Sequence, residues 1–143
     1  MQYNITQAQL GVRPNVLIPS SKVYEELRET GIRKMVSDHY DLLVQSEIKN
    51  LFPPTPELVE IAKKNAADFF VQICGGEPHF SKNRGAPKMG MRHAPFKITQ
   101  NARKIWLQTY KEVLRKQDIS EEAKQSFWNY LDIFSIWMMN SAE

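Results

Sequence analysis

Apolar positions recur at helical spacing along most of this chain, and no segment sustains the apolar–polar alternation of a half-buried strand. That pattern predicts an all-α fold. Residues 1–20 carry Pro14 and Pro19 without a helical period and read as an arm ahead of the first helix. Ser20 or Ser21 then opens a short helix through Val23, Tyr24 and Leu27 that ends near Gly31. Ile32, Met35, Val36, His39, Tyr40 and Leu43 follow at i, i+3, i+4 and i+7 intervals, which sets His39 and Tyr40 on or beside a buried stripe. The pattern fades by Asn50, and Pro53-Pro54 forbids its continuation.

Thr55-Pro56-Glu57 is a strong helix start: threonine caps, proline suits the first helical position, and glutamate favours the positive end of the helix dipole. This helix runs to about Ile73 on Leu58, Ala62, Ala66, Phe69 and Phe70, and Gly75-Gly76 stops it. Ala62 and Ala66, one turn apart, make the stripe narrow there, so a close helix or a ligand fills the space. Residues 74–98 hold four glycines and three prolines with only fragmentary helical pattern. So long a loop inside a compact domain is usually functional; the turn around Met89 to His93 is its one helical candidate. Two amphipathic helices follow, one from Thr99 through Ala102, Ile105, Trp106 and Tyr110, the other from Ser120 through Phe127, Tyr130, Phe134 and Met138.

Composition narrows the class. A length of 143 residues fits one domain, and 42% hydrophobic with 24% charged residues supplies enough apolar surface to offset the entropy of ordering. Cys74 is the only cysteine, which excludes an internal disulfide framework. No apolar run approaches the ~20 residues of a membrane-crossing helix. Residues 1–20 lack the basic start and apolar block of a signal peptide, so a reducing, cytoplasmic location is expected. The net charge of +3 comes from scattered bases, with one exception. Between Cys74 and Ile98, Lys82, Arg84, Lys88, Arg92 and Lys97 stand against Glu77 alone, an excess that suits a small anion.

The candidate chemistry is sparse. His39, His79 and His93, the three histidines, show no ligand-pair spacing with each other or with Cys74, and no phosphate-cradling loop or nucleophile motif is present. An axial ligand to a haem needs only one histidine, and that possibility remains. His93 lies in Met91-Arg92-His93-Ala94-Pro95-Phe96, where Phe96 and Ile98 can line a flat apolar slot and Arg92 can pair with a propionate. Read alone, such a loop histidine is more often a surface or hydrogen-bonded residue. His39 is expected to point to solvent or a helix partner, His79 to sit in a loop, and Cys74 to be inert. Trp128, Trp137, Met138 and Met139 read as core or as a dimer surface.

The residues Gly75-Gly76, Met91-Arg92-His93-Ala94-Pro95-Phe96 and Trp106-Leu107, with thirteen residues from His93 to Trp106, resemble group II truncated haemoglobins over about residues 32–140. The resemblance implies a truncated globin fold, a two-over-two helical sandwich around haem b (iron protoporphyrin IX), with residues 1–24 as an N-terminal arm and 25–143 as the globin domain. It implies His93 as proximal iron ligand and Tyr40 and Trp106 as distal donors. Phe52, Ala62, Ala66, Phe69, Arg92, Phe96 and Ile98 then contact the haem, and Phe80 stands where relatives often carry tyrosine. Departures from the family pattern are Phe52 for a frequent tyrosine, a small Ala66, and Asn65 in place of a base that reaches a propionate. Lys63, Lys64 or Arg92 are the candidate substitutes.

The function so implied is a bacterial haem protein that binds dioxygen tightly, and also carbon monoxide and nitric oxide, because a phenol O–H and an indole N–H stabilise the negative charge a diatomic ligand acquires. Oxygen transport, nitric oxide oxidation and peroxide reduction all fit, the last two with an external reductase, in a monomer or homodimer without nucleic-acid or membrane partners. The competing reading is a haem-free helical module that binds phosphate or nucleic acid through the basic 82–97 loop, with affinity falling steeply in salt.

Overall fold

The computed structural model describes residues 1–142 and, among them, contains helices and no strands. In chain order these are α1 (Ser21–Leu43), a 3-10 turn (Lys49–Leu51), α2 (Pro56–Ile73), α3 (His79–Arg84), α4 (Met89–His93), α5 (Gln100–Leu114) and α6 (Glu121–Met138). The long helices start at side-chain caps. Thr55 accepts from the Leu58 N–H, Thr99 from Ala102 and Ser120 from Ala123, which satisfies donors that have no partner inside the helix.

Helix α1 differs from its sequence reading. The break falls at Arg28, with φ 59° and ψ 178°, and the chain is helical again through Gly31. Gly31 lets Leu27 lie against it, since an added Cβ would meet Leu27 at 3.1 Å, so this glycine serves packing. The Arg28 guanidinium lies 5.1 Å from the Tyr24 ring centroid. The end of α2 agrees with expectation. Gly75 at φ +99° returns its N–H to Gln72 O at 3.1 Å, and Gly76 bonds Val71 O at 2.8 Å. A Cβ on Gly76 would meet the Tyr24 ring at 2.5 Å, so only glycine fits there.

The 74–98 stretch is more ordered than its glycines and prolines suggest, because it contains α3 as well as α4. Phe80, 1% exposed, anchors α3 in the core. The Gln72 side chain bonds both the Ser81 hydroxyl and the Ser81 N–H, at 2.8 and 2.9 Å. His79 therefore opens a helix, with Nε2 at 3.0 Å from Glu29.

Packing joins α1 to α2 and α5 to α6, and α1 crosses both α5 and α6, which gives the two-over-two sandwich. Its core includes Val36, Phe70, Tyr110, Phe127, Trp128 and Leu131. Residues 1–20 have no helix, but they lie along α6: Trp128 Nε1 donates to Asn4 O, and Trp137 Nε1 to Pro14 O, each at 2.7 Å. Trp128 is thus core beneath the arm, whereas Trp137 stays 37% exposed. No helix among the described residues is long and apolar enough to cross a membrane.

Candidate functional site

A cavity of about 380 Å³ lies between the helix pairs and the segment that carries α4. That size and its mostly apolar lining fit a bound organic group. Its walls include all ten residues singled out from the sequence: Tyr40, Phe52, Ala62, Ala66, Phe69, Arg92, His93, Phe96, Ile98 and Trp106. Helix α1 supplies Tyr40, α2 the two alanines and Phe69, α4 Arg92 and His93, and α5 Trp106. Ala62 and Ala66 leave wall space that a larger side chain would occupy. Tyr40 packs edge-on against Phe52 at 5.6 Å between ring centroids. Among the described residues, no aspartate or glutamate lines the cavity.

His93 has the tautomer that metal ligation requires. Its Nδ1 lies 2.7 Å from Met89 O, and a carbonyl only accepts, so Nδ1 is the donor and, in the neutral ring, Nε2 has the lone pair. The five-residue helix α4 creates this bond by setting residues 89 and 93 one turn apart.

Tyr40 Oη and Trp106 Nε1 make no hydrogen bond among the described residues, although both side chains line the cavity. Burial pushes the Tyr40 phenol up to about 12, so it keeps its proton and remains a donor. His39 lines the same cavity and is turned to a helix partner, not to solvent: Nε2 donates to Trp106 O at 3.1 Å, and the ring lies 3.8 Å from that of Tyr110. Burial outweighs that bond and pushes His39 down to about 3, so the imidazole is neutral.

Among the further lining residues, which the sequence did not place at the site, Tyr110 and Arg84 bear on its chemistry. Tyr110, one turn beyond Trp106 on α5, has a buried hydroxyl without a partner among the described residues, a state that costs about 1–3 kcal/mol when nothing else occupies the space. Its spacing from Trp106 was the available signal. Arg84 stacks over Phe80 at 5.5 Å and makes no ion pair among the described residues; nothing in the sequence separated it from its basic neighbours.

The other bases are engaged elsewhere. Lys63 bonds Ser37 and Asp41 at 2.9 and 2.7 Å, and Lys64 bonds Asp68 at 2.9 Å, so neither reaches the cavity. Arg92 uses Nε and Nη2 on the carbonyls of Pro87, Arg84 and Ala86, which leaves Nη1 free to meet an anion. Lys82 pairs with Glu77 at 2.9 Å. With Arg92 turned inward as well, the basic loop does not present five free cations to a phosphate or nucleic-acid partner. Cys74 is buried at the end of α2, and burial raises its thiol to about 12, which keeps it unreactive.

The residues present fit a haem: an imidazole with a free Nε2, an apolar slot with space beside two alanines, cations near it, and unpartnered donors. Comparison with known proteins identifies the family. Residues 22–140 match the model of the bacterial-like globin family. The chain is 27% identical to the group 2 truncated haemoglobin YjbI of Bacillus subtilis over 121 residues, covering 84% of this chain and 89% of that one. The phosphate-bound structure of Hell's gate globin IV shares 38% identity and a TM-score of 0.89, over 98% of this chain and 88% of that one. Haemoglobin from the thermophilic phototrophic bacterium Chloroflexus aurantiacus shares 30% identity and a TM-score of 0.77, over 83% and 98%. A truncated-globin sandwich whose cavity is built in this way, and whose sequence matches that family over most of its length, places the chain in the bacterial-like globin family as a haem-binding globin.

Proposed function

We propose that this globin holds haem b through His93 Nε2 and retains dioxygen by donation from Tyr40 and Trp106. The observation that carries the reading is the pair of donors, Tyr40 Oη–H and Trp106 Nε1–H, in the cavity of His93 without an acceptor among the described residues. When bound, haem supplies a ferrous iron that binds diatomic gases. The chain's own residues do the rest. Met89 O fixes the His93 tautomer, Arg92 Nη1 and Arg84 would be the cations for the propionates, and Phe52, Phe69, Phe96 and Ile98 would give the ring an apolar lining. Ala62 and Ala66 leave room for the ligand, and neutral His39 orders the α5 backbone at Trp106.

A donor acting on a partly charged ligand in a dry site contributes about 1–3 kcal/mol. Tyr40→Phe and Trp106→Phe should each speed oxygen release by roughly tenfold to a hundredfold, since 1.4 kcal/mol is one decade. Stopped-flow displacement of oxygen by carbon monoxide measures this. Release within milliseconds from the wild type, or equal rates in all three proteins, contradicts it. For nitric oxide oxidation or peroxide reduction the chain needs electrons from an external reductase, and a reducing cytoplasm suits its lone buried thiol.

A further inference from the structure

The segment that carries His93 has little regular structure of its own. Helix α4 spans five residues, and residues 94–99 follow it as turn and extended chain. Such a segment loses much conformational entropy when ordered, so contacts from outside must hold it. Arg92 fixes the stretch before His93 through its three bonds to carbonyls between residues 84 and 87. The stretch after His93 is fixed from α6.

Asn140 lies just beyond the end of α6 and meets this segment with both ends of its amide. Nδ2 donates to Phe96 O at 2.7 Å and to His93 O at 3.3 Å, and Oδ1 accepts from the Ile98 N–H at 2.9 Å. Its backbone N–H bonds Ile98 O at 3.0 Å. One residue thereby satisfies backbone groups at three positions of the His93–Ile98 segment, His93's own carbonyl among them.

The end of α6 is held in turn by the N-terminal arm. Pro14 O receives the Trp137 indole N–H at 2.7 Å, and the Arg13 guanidinium lies 5.8 Å from that ring. Ala8 packs with Ile136, Met139 and Ile98, and Gln100 Nε2 reaches Ala8 O at 3.4 Å. The chain of contact therefore runs from the arm, through Trp137 and Met139, to Asn140 and the histidine segment.

We propose that Asn140, braced by the N-terminal arm, is a positioning residue for His93 that sets the strength of the bond its imidazole makes to haem iron. The inference rests on His93 being the ligand. Groups that orient a metal-bound histidine typically change metal affinity by about 10–100-fold when removed. Asn140 acts on the backbone of the ligating residue, as the Met89 carbonyl acts on its ring.

The test uses the haem-loaded full chain as wild type, Asn140→Ala, Asn140→Asp, Trp137→Phe and, as controls, Glu26→Ala and His93→Gly. Glu26 accepts from the Ser120 N–H and hydroxyl at 2.7 Å each, so its loss loosens the other end of α6. The readouts are the iron–histidine stretching band of the ferrous, ligand-free form by resonance Raman and the rate of haem transfer to an apoglobin scavenger. The inference predicts a shifted band and at least tenfold faster haem loss in Asn140→Ala, and a smaller change in the same sense in Trp137→Phe. Glu26→Ala should keep the wild-type band even where its thermal stability falls. Asn140→Asp, of the same shape but without the two donors, carries the test should the alanine variant fail to fold. Wild-type band and haem loss in the Asn140 variants overturn the positioning role. A wild type without an iron–histidine band, or a His93→Gly variant that retains it, overturns the ligand assignment and this inference with it.

Discussion

His39 makes the pH dependence of this globin legible at a single side chain. It is 2% exposed and pushed down to about 3, whereas in the unfolded chain it titrates near 6.5. Between those values the unfolded state binds the extra proton, so stability is complete above about pH 6.5 and falls as pH falls towards 3. The loss approaches 1.4 kcal/mol per pH unit over most of that window. His39→Gln should have a flatter stability–pH profile between pH 6 and 4, measured by urea unfolding at each pH; parallel profiles would refute the assignment. Asp68 adds a second loss at lower pH. Burial opposes its ionisation, but the bonds from Arg33 and Lys64 outweigh burial and hold its carboxyl below the usual range. Its contribution is present above the ordinary carboxylate pKa and disappears as pH falls through the lowered one. Sequence alone placed His39 beside the buried stripe but not its partner, because the accepting group is a backbone carbonyl on a helix 67 positions away.

At the scale of elements, α2, α5 and α6 were readable because Thr55, Thr99 and Ser120 announce their starts and amphipathic stripes follow each one. The kink in α1 was not. Glycine at position 31 is the local signal for a break, yet the chain turns at Arg28, whose φ of 59° with ψ of 178° lies in a region that glycine alone occupies freely. Helix propensity normally ranks alanine about 1 kcal/mol above glycine. At position 28 that order should reverse, with Arg28→Gly more stable than Arg28→Ala by about 1 kcal/mol in thermal or denaturant unfolding. The usual order would show that residue 28 is helical in solution. Helix α3 escaped notice for a related reason. Six residues with one core anchor, Phe80, carry too little periodicity to stand out from a glycine-rich stretch, and the Gln72 bonds that hold it come from another helix.

Across the whole molecule, the ten expected site residues in the cavity wall span four helices and two connecting segments, and no local pattern joins them. The family resemblance brought those positions together, whereas His93 by itself looked like any loop histidine. The N-terminal arm had no such guide, and its place is set by a buried polar cluster. Arg103 bonds Asp132 Oδ1 at 2.6 Å, Ser135 Oγ at 2.9 Å and Thr6 O at 3.0 Å, while Thr6 bonds both Asp132 oxygens. With side chains 2% and 8% exposed, removing one charge strands the other. Asp132→Ala should therefore cost about 3–5 kcal/mol and free the arm to proteolysis. The double variant Arg103→Met with Asp132→Leu should recover much of the loss. A loss below about 1 kcal/mol for Asp132→Ala would show that the cluster is not formed.

The role proposed for His93 is to hold haem in this cavity. Its most direct test is the ultraviolet–visible spectrum of the haem-loaded protein, ferric, ferrous and with carbon monoxide, in wild type and His93→Gly. Ligation by His93 predicts a wild-type Soret band that is altered or lost in the glycine variant and restored by added imidazole, which would refill the vacated ligand position. Identical spectra in the two proteins, or a wild type that takes up no haemin, would contradict it.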